Sequence, residues 1–145
     1  MRYSSSAALL VALAIASPAR AAEPAPTARS LVEDGVSAYV KGGAKEAIKF
    51  WLKGSALEGN PQALTQANSL TQIEDFYGKP VGFDLVKEYE AGPKTRIVYF
   101  TVNYEKGVAF AVFQVYRSPT GQWITTEFSF NTDASKVFPS CLFSQ

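Results

Sequence analysis

With no histidine and a single cysteine, Cys141, this sequence leaves few side chains able to do chemistry. Without imidazole there is no Ser-His nucleophile pair and no zinc site of the usual nitrogen–sulfur kind. Acid–base work would fall to carboxylates, tyrosines or lysines. Glu127 stands out because "WITTEFSFN" sets it among aromatic residues. A strand that turned it inward would make it a proton carrier. Turned outward, it is a solvated strand residue, the commoner fate of glutamate. Cys141 reads as a small apolar side chain packed beside Leu142 and Phe143, since free cysteine is usually buried. A reactive thiol or an intermolecular bridge are its other readings, and a lone cysteine excludes an intrachain disulfide. Nothing in the residue set calls for a cofactor or a metal.

A binding site is the second possibility. Arg96, Gln114, Tyr116 and Thr126 gather at one end of neighbouring strands, where they could orient a small ligand. Its apolar body would lie against Trp51, Phe100 and Phe110, the usual make-up of a pocket: apolar walls with a few convergent polar groups. The competing reading is the polar rim of a sheet.

Charge and targeting narrow the setting. Residues 1–21 read as a signal peptide, with Arg2 ahead of an apolar run from Ala7 to Ala16 and cleavage after Ala21 in "ARA". That run is well short of the ~20 residues needed to span a bilayer. The expected location is the periplasm or the medium. Of the 14 Lys and Arg, Arg2 and Arg20 lie in this leader, so the remainder nearly balance the 13 Asp and Glu. No basic stripe is left to neutralise phosphates, which argues against nucleic acid as a partner. Residues 22–28 form a Pro/Ala-rich flexible lead, and 29–145 a single domain.

The domain divides by hydrophobic period. From Arg29 to Tyr77 the spacing is helical. Leu31, Val32, Val36, Tyr39 and Val40 form one stripe, closed by Gly42-Gly43. Ala47, Ile48, Trp51 and Leu52 form a second. Asn60-Pro61 opens a third helix with Leu64, Ala67, Leu70, Ile73 and Phe76 inward. From Val81 the period becomes two, giving strands in "VGFDLVKEYE", "RIVYFTVNY", "VAFAVFQVY" and "WITTEFSFN" joined by short turns. The fold class is therefore α+β, with N-terminal helices packed on a curved four-stranded antiparallel meander.

Pairing decides which residues meet the helices. Placing Tyr104 opposite Val108 across the Glu105-Lys106-Gly107 turn sets Val98, Phe100 and Val102 beside Phe110, Val112 and Gln114 on the helix-facing side. Ile97, Tyr99, Thr101 and Asn103 then share the outer side with Ala109, Ala111, Phe113 and Val115. That outer side is too apolar for plain exposure, since antiparallel sheets normally alternate cleanly. A homodimer through it is the expectation. For the last strand, Val115 opposite Thr125 turns Phe128 and Phe130 inward and Glu127 outward, and a one-residue shift reverses both.

Three helices followed by a meander, with "FYGKPVGF" at the junction and "FSFNTD" after the final strand, resemble the nuclear transport factor 2-like superfamily over roughly 29–139. The likeness is to its small exported bacterial members. It implies a cone-like sheet with a pocket beneath the helices, used by some members as isomerases or dehydratases and by others only for binding. Its catalytic aspartates, tyrosines and histidines match no positions here, so no catalytic residue carries over. The expected function is an exported noncatalytic module binding a small apolar ligand or a protein partner. The alternative is a cofactor-free, isomerase- or dehydratase-like enzyme using Glu127 or a tyrosine. N-terminal sequencing of the exported protein should begin at Ala22; an intact Met1 would overturn the leader assignment.

Overall fold

The computed structural model describes residues 25–144, so the signal peptide and residues 22–24 of the lead lie outside it. Three helices come first: α1 (Ala28–Gly42), α2 (Ala44–Leu52) and α3 (Pro61–Tyr77). Helix α1 starts one residue before Arg29, where the helical spacing was expected to begin, because Thr27 and Ser30 form a reciprocal cap. The Ser30 amide donates to Thr27 Oγ1 at 3.0 Å, and the Thr27 amide donates to Ser30 Oγ at 2.8 Å. Gly43, at φ 83°, takes the left-handed turn that lets α2 fold straight back. Asn60 caps α3 through its side-chain oxygen, with Pro61 in the first turn.

Four strands follow as an open antiparallel sheet in chain order: β1 (Pro80–Gly92), β2 (Thr95–Tyr104), β3 (Val108–Arg117) and β4 (Trp123–Asn131). The α+β class and the helices-on-sheet arrangement are those expected, and β1 and β4 are free edges. No helix among the described residues is long and apolar enough to cross a membrane.

Several details depart from the sequence reading, the first being Val40, which is exposed at the end of the α1 stripe. In α3, Leu64 and Phe76 are 65% and 76% exposed, and the buried stripe is Ala63, Ala67 and Leu70. In the sheet, Asn103 rather than Tyr104 stands opposite Val108, so all of β3 is turned over. Ala109, Ala111, Phe113 and Val115 face the helices and are buried, while Val108, Phe110, Val112, Gln114 and Tyr116 face outward. The turn is wider because its amides are engaged elsewhere. Glu105 and Lys106 donate to the carbonyls of Lys79 and Tyr77, and Gly107 lies under the Tyr77 ring, where a β-carbon would not fit. Side-chain volume agrees with this register. Ala111 sits between Phe100 and Phe130, so two large rings flank one small residue.

The outer face is partly covered by the chain itself. After β4, Asn131 and Asp133 make successive side-chain turns, the Asp133 amide donating to Asn131 Oδ1 and the Ser135 amide to Asp133 Oδ1, each at 2.9 Å. The Ser135 hydroxyl also donates to Asp133 Oδ1 at 2.7 Å, and the two hydrogen bonds from Ser135 hold the Asp133 carboxyl below its ordinary range. Two single-turn 3₁₀ segments follow, Ala134–Lys136 and Ser140–Leu142, and Phe138 between them packs back on the sheet. Only 7% exposed, Phe138 stands edge-on to Tyr99 at 5.6 Å and to Phe110 at 5.3 Å. Of the residues that suggested a dimer through this face, Phe113 and Val115 are core residues and Tyr99 is met by Phe138.

The tightest packing lies between α1 and α2. The Trp51 indole is seated on Gly35, so closely that a β-carbon there would fall inside the ring. Gly35→Ala should cost up to about 3 kcal/mol in overpacking, the upper end of the roughly 1–3 kcal/mol range for a filled core, and so destabilise the protein on balance. That exceeds the roughly 1 kcal/mol alanine gains over glycine within a helix. Urea denaturation checks the sign: a stabilised variant would mean that α1 and α2 can move apart freely.

Candidate functional site

The space expected to hold a ligand is occupied by side chains. Trp51 lies 4.8 Å from Phe113 and 5.5 Å from Phe130 between ring centres, and Phe113 lies 5.4 Å from Phe100. Trp51 and Phe113 are 0% exposed. The indole N–H, which a buried tryptophan must satisfy, donates to the Val32 carbonyl at 3.1 Å. Trp51 is the central plug of the core, and Phe110, the third aromatic expected in the pocket, is on the opposite side of the sheet.

The polar residues expected around that ligand are divided by the sheet. Gln114 and Thr126 do meet on the outer face, where Gln114 Nε2 donates to Thr126 Oγ1 and that hydroxyl donates to the Gln114 carbonyl, both at 3.1 Å. Tyr116 shares that face, paired with Thr95 and Ile124. Arg96 is on the helix side, because it pairs with the inward-facing Val115. Its guanidinium donates to the Gly92 and Thr95 carbonyls at 2.8 and 3.1 Å, lies 3.2 Å from the Glu90 carboxylate and stacks over Trp123. The slip in β3 separates Arg96 from the other three. Arg96 instead lines a groove of about 460 Å³ with Glu88, Arg117, Trp123 and the start of α1.

Glu127 is exposed. Val115 does pair with Thr125, but a bulge then sets Thr126 and Glu127 together against Gln114. The extra residue brings Phe128 and Phe130 inward beside Phe113 and Ala111, so they meet different partners from those the uninterrupted register implies. Cys141 is likewise exposed, not packed: it occupies a 3₁₀ turn too short to bury it. Among the described residues no group of three His, Cys, Asp or Glu could hold a metal ion.

Among the described residues, the buried ionisable groups are two tyrosines. Tyr39 on α1 donates to the Leu70 carbonyl at 3.2 Å, and its oxygen lies 3.1 Å from the Tyr104 hydroxyl. With the Tyr39 proton committed to a carbonyl, Tyr104 is the donor to Tyr39. Burial pushes the Tyr104 phenol up to about 12, with the nearby Glu74 charge also raising it against the lowering effect of the Tyr39 hydrogen bond. Burial, then the Tyr104 bond, raises Tyr39 well above the usual phenol range. A tyrosine serving as a base near neutrality needs the opposite shift.

What sequence reading missed is a trench between α3 and the free edge of β4. One part, about 580 Å³, lies between Gln62, Thr65 and Gln66 on the helix and residues 126–129 on the strand. A second, about 370 Å³, continues between Ser69, Gln72 and Phe76 and residues 130–132. The sequence did contain the signal. Gln62, Thr65, Gln66, Ser69 and Gln72 form an uncharged polar stripe at helical spacing, next to the apolar one. A smaller apolar groove of about 300 Å³ lies between α2 and α3 along Ile48, Leu52, Ala63 and the exposed Leu64.

Comparison with known protein families, curated proteins and solved structures finds no match for the chain.

The tyrosine pair makes a pH-dependent contribution whose sign follows from its chemistry. The folded state holds these protons more tightly than the unfolded chain, where a tyrosine titrates near 10. The contribution is therefore intact below about pH 10 and is lost as pH rises toward the folded value near 12. Tyr39→Phe strands the Tyr104 hydroxyl and should cost about 1–3 kcal/mol. Tyr104→Phe leaves Tyr39 bonded to Leu70 and should cost less. Denaturation from pH 7 to 12 should show a steeper alkaline loss for wild type than for the double phenylalanine variant; equal slopes would overturn the assignment.

Proposed function

We propose that this chain is an exported binding module of the cell envelope that recognises its partner on its surface and catalyses no reaction. The observation that carries the reading is the filled interior. Trp51, Phe100, Phe113 and Phe130 occupy the volume between helices and sheet, so the recognition surfaces left are external grooves. Specific binding needs a concave surface with a few placed polar groups, and the trench between α3 and β4 supplies both. The leader supports the envelope location. The likeness to the nuclear transport factor 2-like superfamily is part of this proposal and rests on the order of three helices and four strands with the "FYGKPVGF" and "FSFNTD" motifs.

The enzyme alternative has lost its strongest residues. Tyr39 and Tyr104 are shifted toward keeping their protons, and Glu127 is turned toward solvent. A small ligand enclosed beneath the helices would require Trp51 to leave its seat on Gly35. Native mass spectrometry of the protein purified from its own envelope tests the reading. The expected mass is that of the chain starting at Ala22, without a small-molecule adduct. A stoichiometric apolar adduct shielded by the core would overturn recognition at the surface.

A further inference from the structure

We infer that the trench between α3 and β4 takes an extended segment of a partner polypeptide, which pairs with β4 as a fifth strand. The inference rests on the binding reading above and identifies its site and the class of occupant.

The backbone argument comes first. In an antiparallel ladder, successive residues direct their N–H and C=O groups alternately to one neighbour and to the other. The Arg117 amide donates to the Lys94 carbonyl at 2.8 Å and the Tyr104 amide to the Gly107 carbonyl at 2.9 Å. These bonds set the phase between β2 and β3, so Ala111 and Phe113 bond toward β2 while Phe110 and Val112 bond toward β4. Their partners Ser129 and Asn131 are thereby engaged with β3. The backbone groups of Phe128 and Phe130 point off the free edge, into the trench. A run of unpaired groups on an exposed strand is a template for another chain, and strand addition is a recurring mode of peptide recognition.

The dimensions agree. From Gln62 to Phe76, α3 advances about 21 Å. From Thr126 to Thr132 the strand advances about 20 Å. Helix wall and strand edge therefore run alongside each other for the length of about six extended residues. The helix wall offers amides and hydroxyls that can bond an incoming side chain or backbone. One acceptor on it, Gln66 Oε1, is shielded from water and accepts no hydrogen bond.

Charge defines the occupant. Among the residues lining the trench the sole ionisable group is Glu127, and there is no cation. A nucleic acid or an acidic segment would find nothing to offset its charge, whereas a neutral segment with a basic residue near Glu127 would be matched. A glycan is the other polymer suited to a wall of amides, but sugars stack on open aromatic faces. Phe130 is buried and Phe128 is stacked on Phe113, which leaves Phe76 alone exposed.

The mature chain, panned against a displayed library of peptides about seven residues long, tests the assignment. Selected peptides should lack Asp and Glu. In hydrogen exchange they should slow the Phe128 and Phe130 amides by about tenfold or more while leaving Ser129, already bonded to β3, unchanged. Thr65→Trp places a large ring on the exposed helix wall and should weaken binding by about tenfold with an unaltered circular dichroism spectrum. Selection of no binder, protection without that alternation, or undiminished binding by Thr65→Trp would overturn the strand assignment. So would a chitin tetramer that competes for the trench without protecting those amides. An envelope partner whose footprint falls on the groove between α2 and α3 would overturn it too, while leaving the binding module in place. A small molecule sealed in the core would remove both.

Discussion

The fold depends on one contact, the Trp51 indole resting on the bare backbone of Gly35. It fixes how closely α1 and α2 approach, because no side chain intervenes. The same ring presents its other surfaces to Phe113 and Phe130, so the spacing of the helix pair also sets the height of the helices above the sheet. Its N–H, held by the Val32 carbonyl, prevents the ring from rotating away without stranding a buried donor. A core built around one immobile aromatic plug leaves little freedom for an internal cavity, so the concave surfaces of the described residues are external grooves.

Consequences of that plug extend through the sheet. With large rings from α2, β2, β3 and β4 converging beneath the helices, the remaining inward positions must be small. Ala109 and Ala111 meet that need, and their neighbours Phe110 and Val112 are sent outward. The outward aromatic surface in turn needs a cover, which the C-terminal segment partly supplies by laying Phe138 between Tyr99 and Phe110. A sheet with two apolar faces is thus explained within one chain: helices take one face, and the tail takes part of the other.

The edges are treated unequally. Along β1 three irregularities and the charged Lys87, Glu88 and Glu90 discourage further pairing. Along β4 the bulge at Thr126 and Glu127 protects only the middle of the strand, and Phe128 to Asn131 run on regularly beneath the polar wall of α3. The shape of the molecule concentrates unsatisfied backbone groups and uncharged polar side chains in that one place.

The sequence by itself determined the elements and their order. Helical and alternating periods, the Gly43 and Gly78 stops, the Asn60 cap and the inward set Ala47, Ile48, Trp51 and Leu52 are local signals, written in spacing and turn chemistry. It also carried the polar stripe of α3, although a stripe acquires meaning only when its neighbour is known. Tertiary structure alone decided the register of β3 and the bulge in β4. Either side of β3 could have passed for the inner one, since both are apolar, and a pattern that reads the same from both faces cannot choose between them. Ring volumes around Trp51 and the amides tied to the end of α3 made that choice. With it they parted Arg96 from Gln114, Tyr116 and Thr126, which sequence reading had placed together.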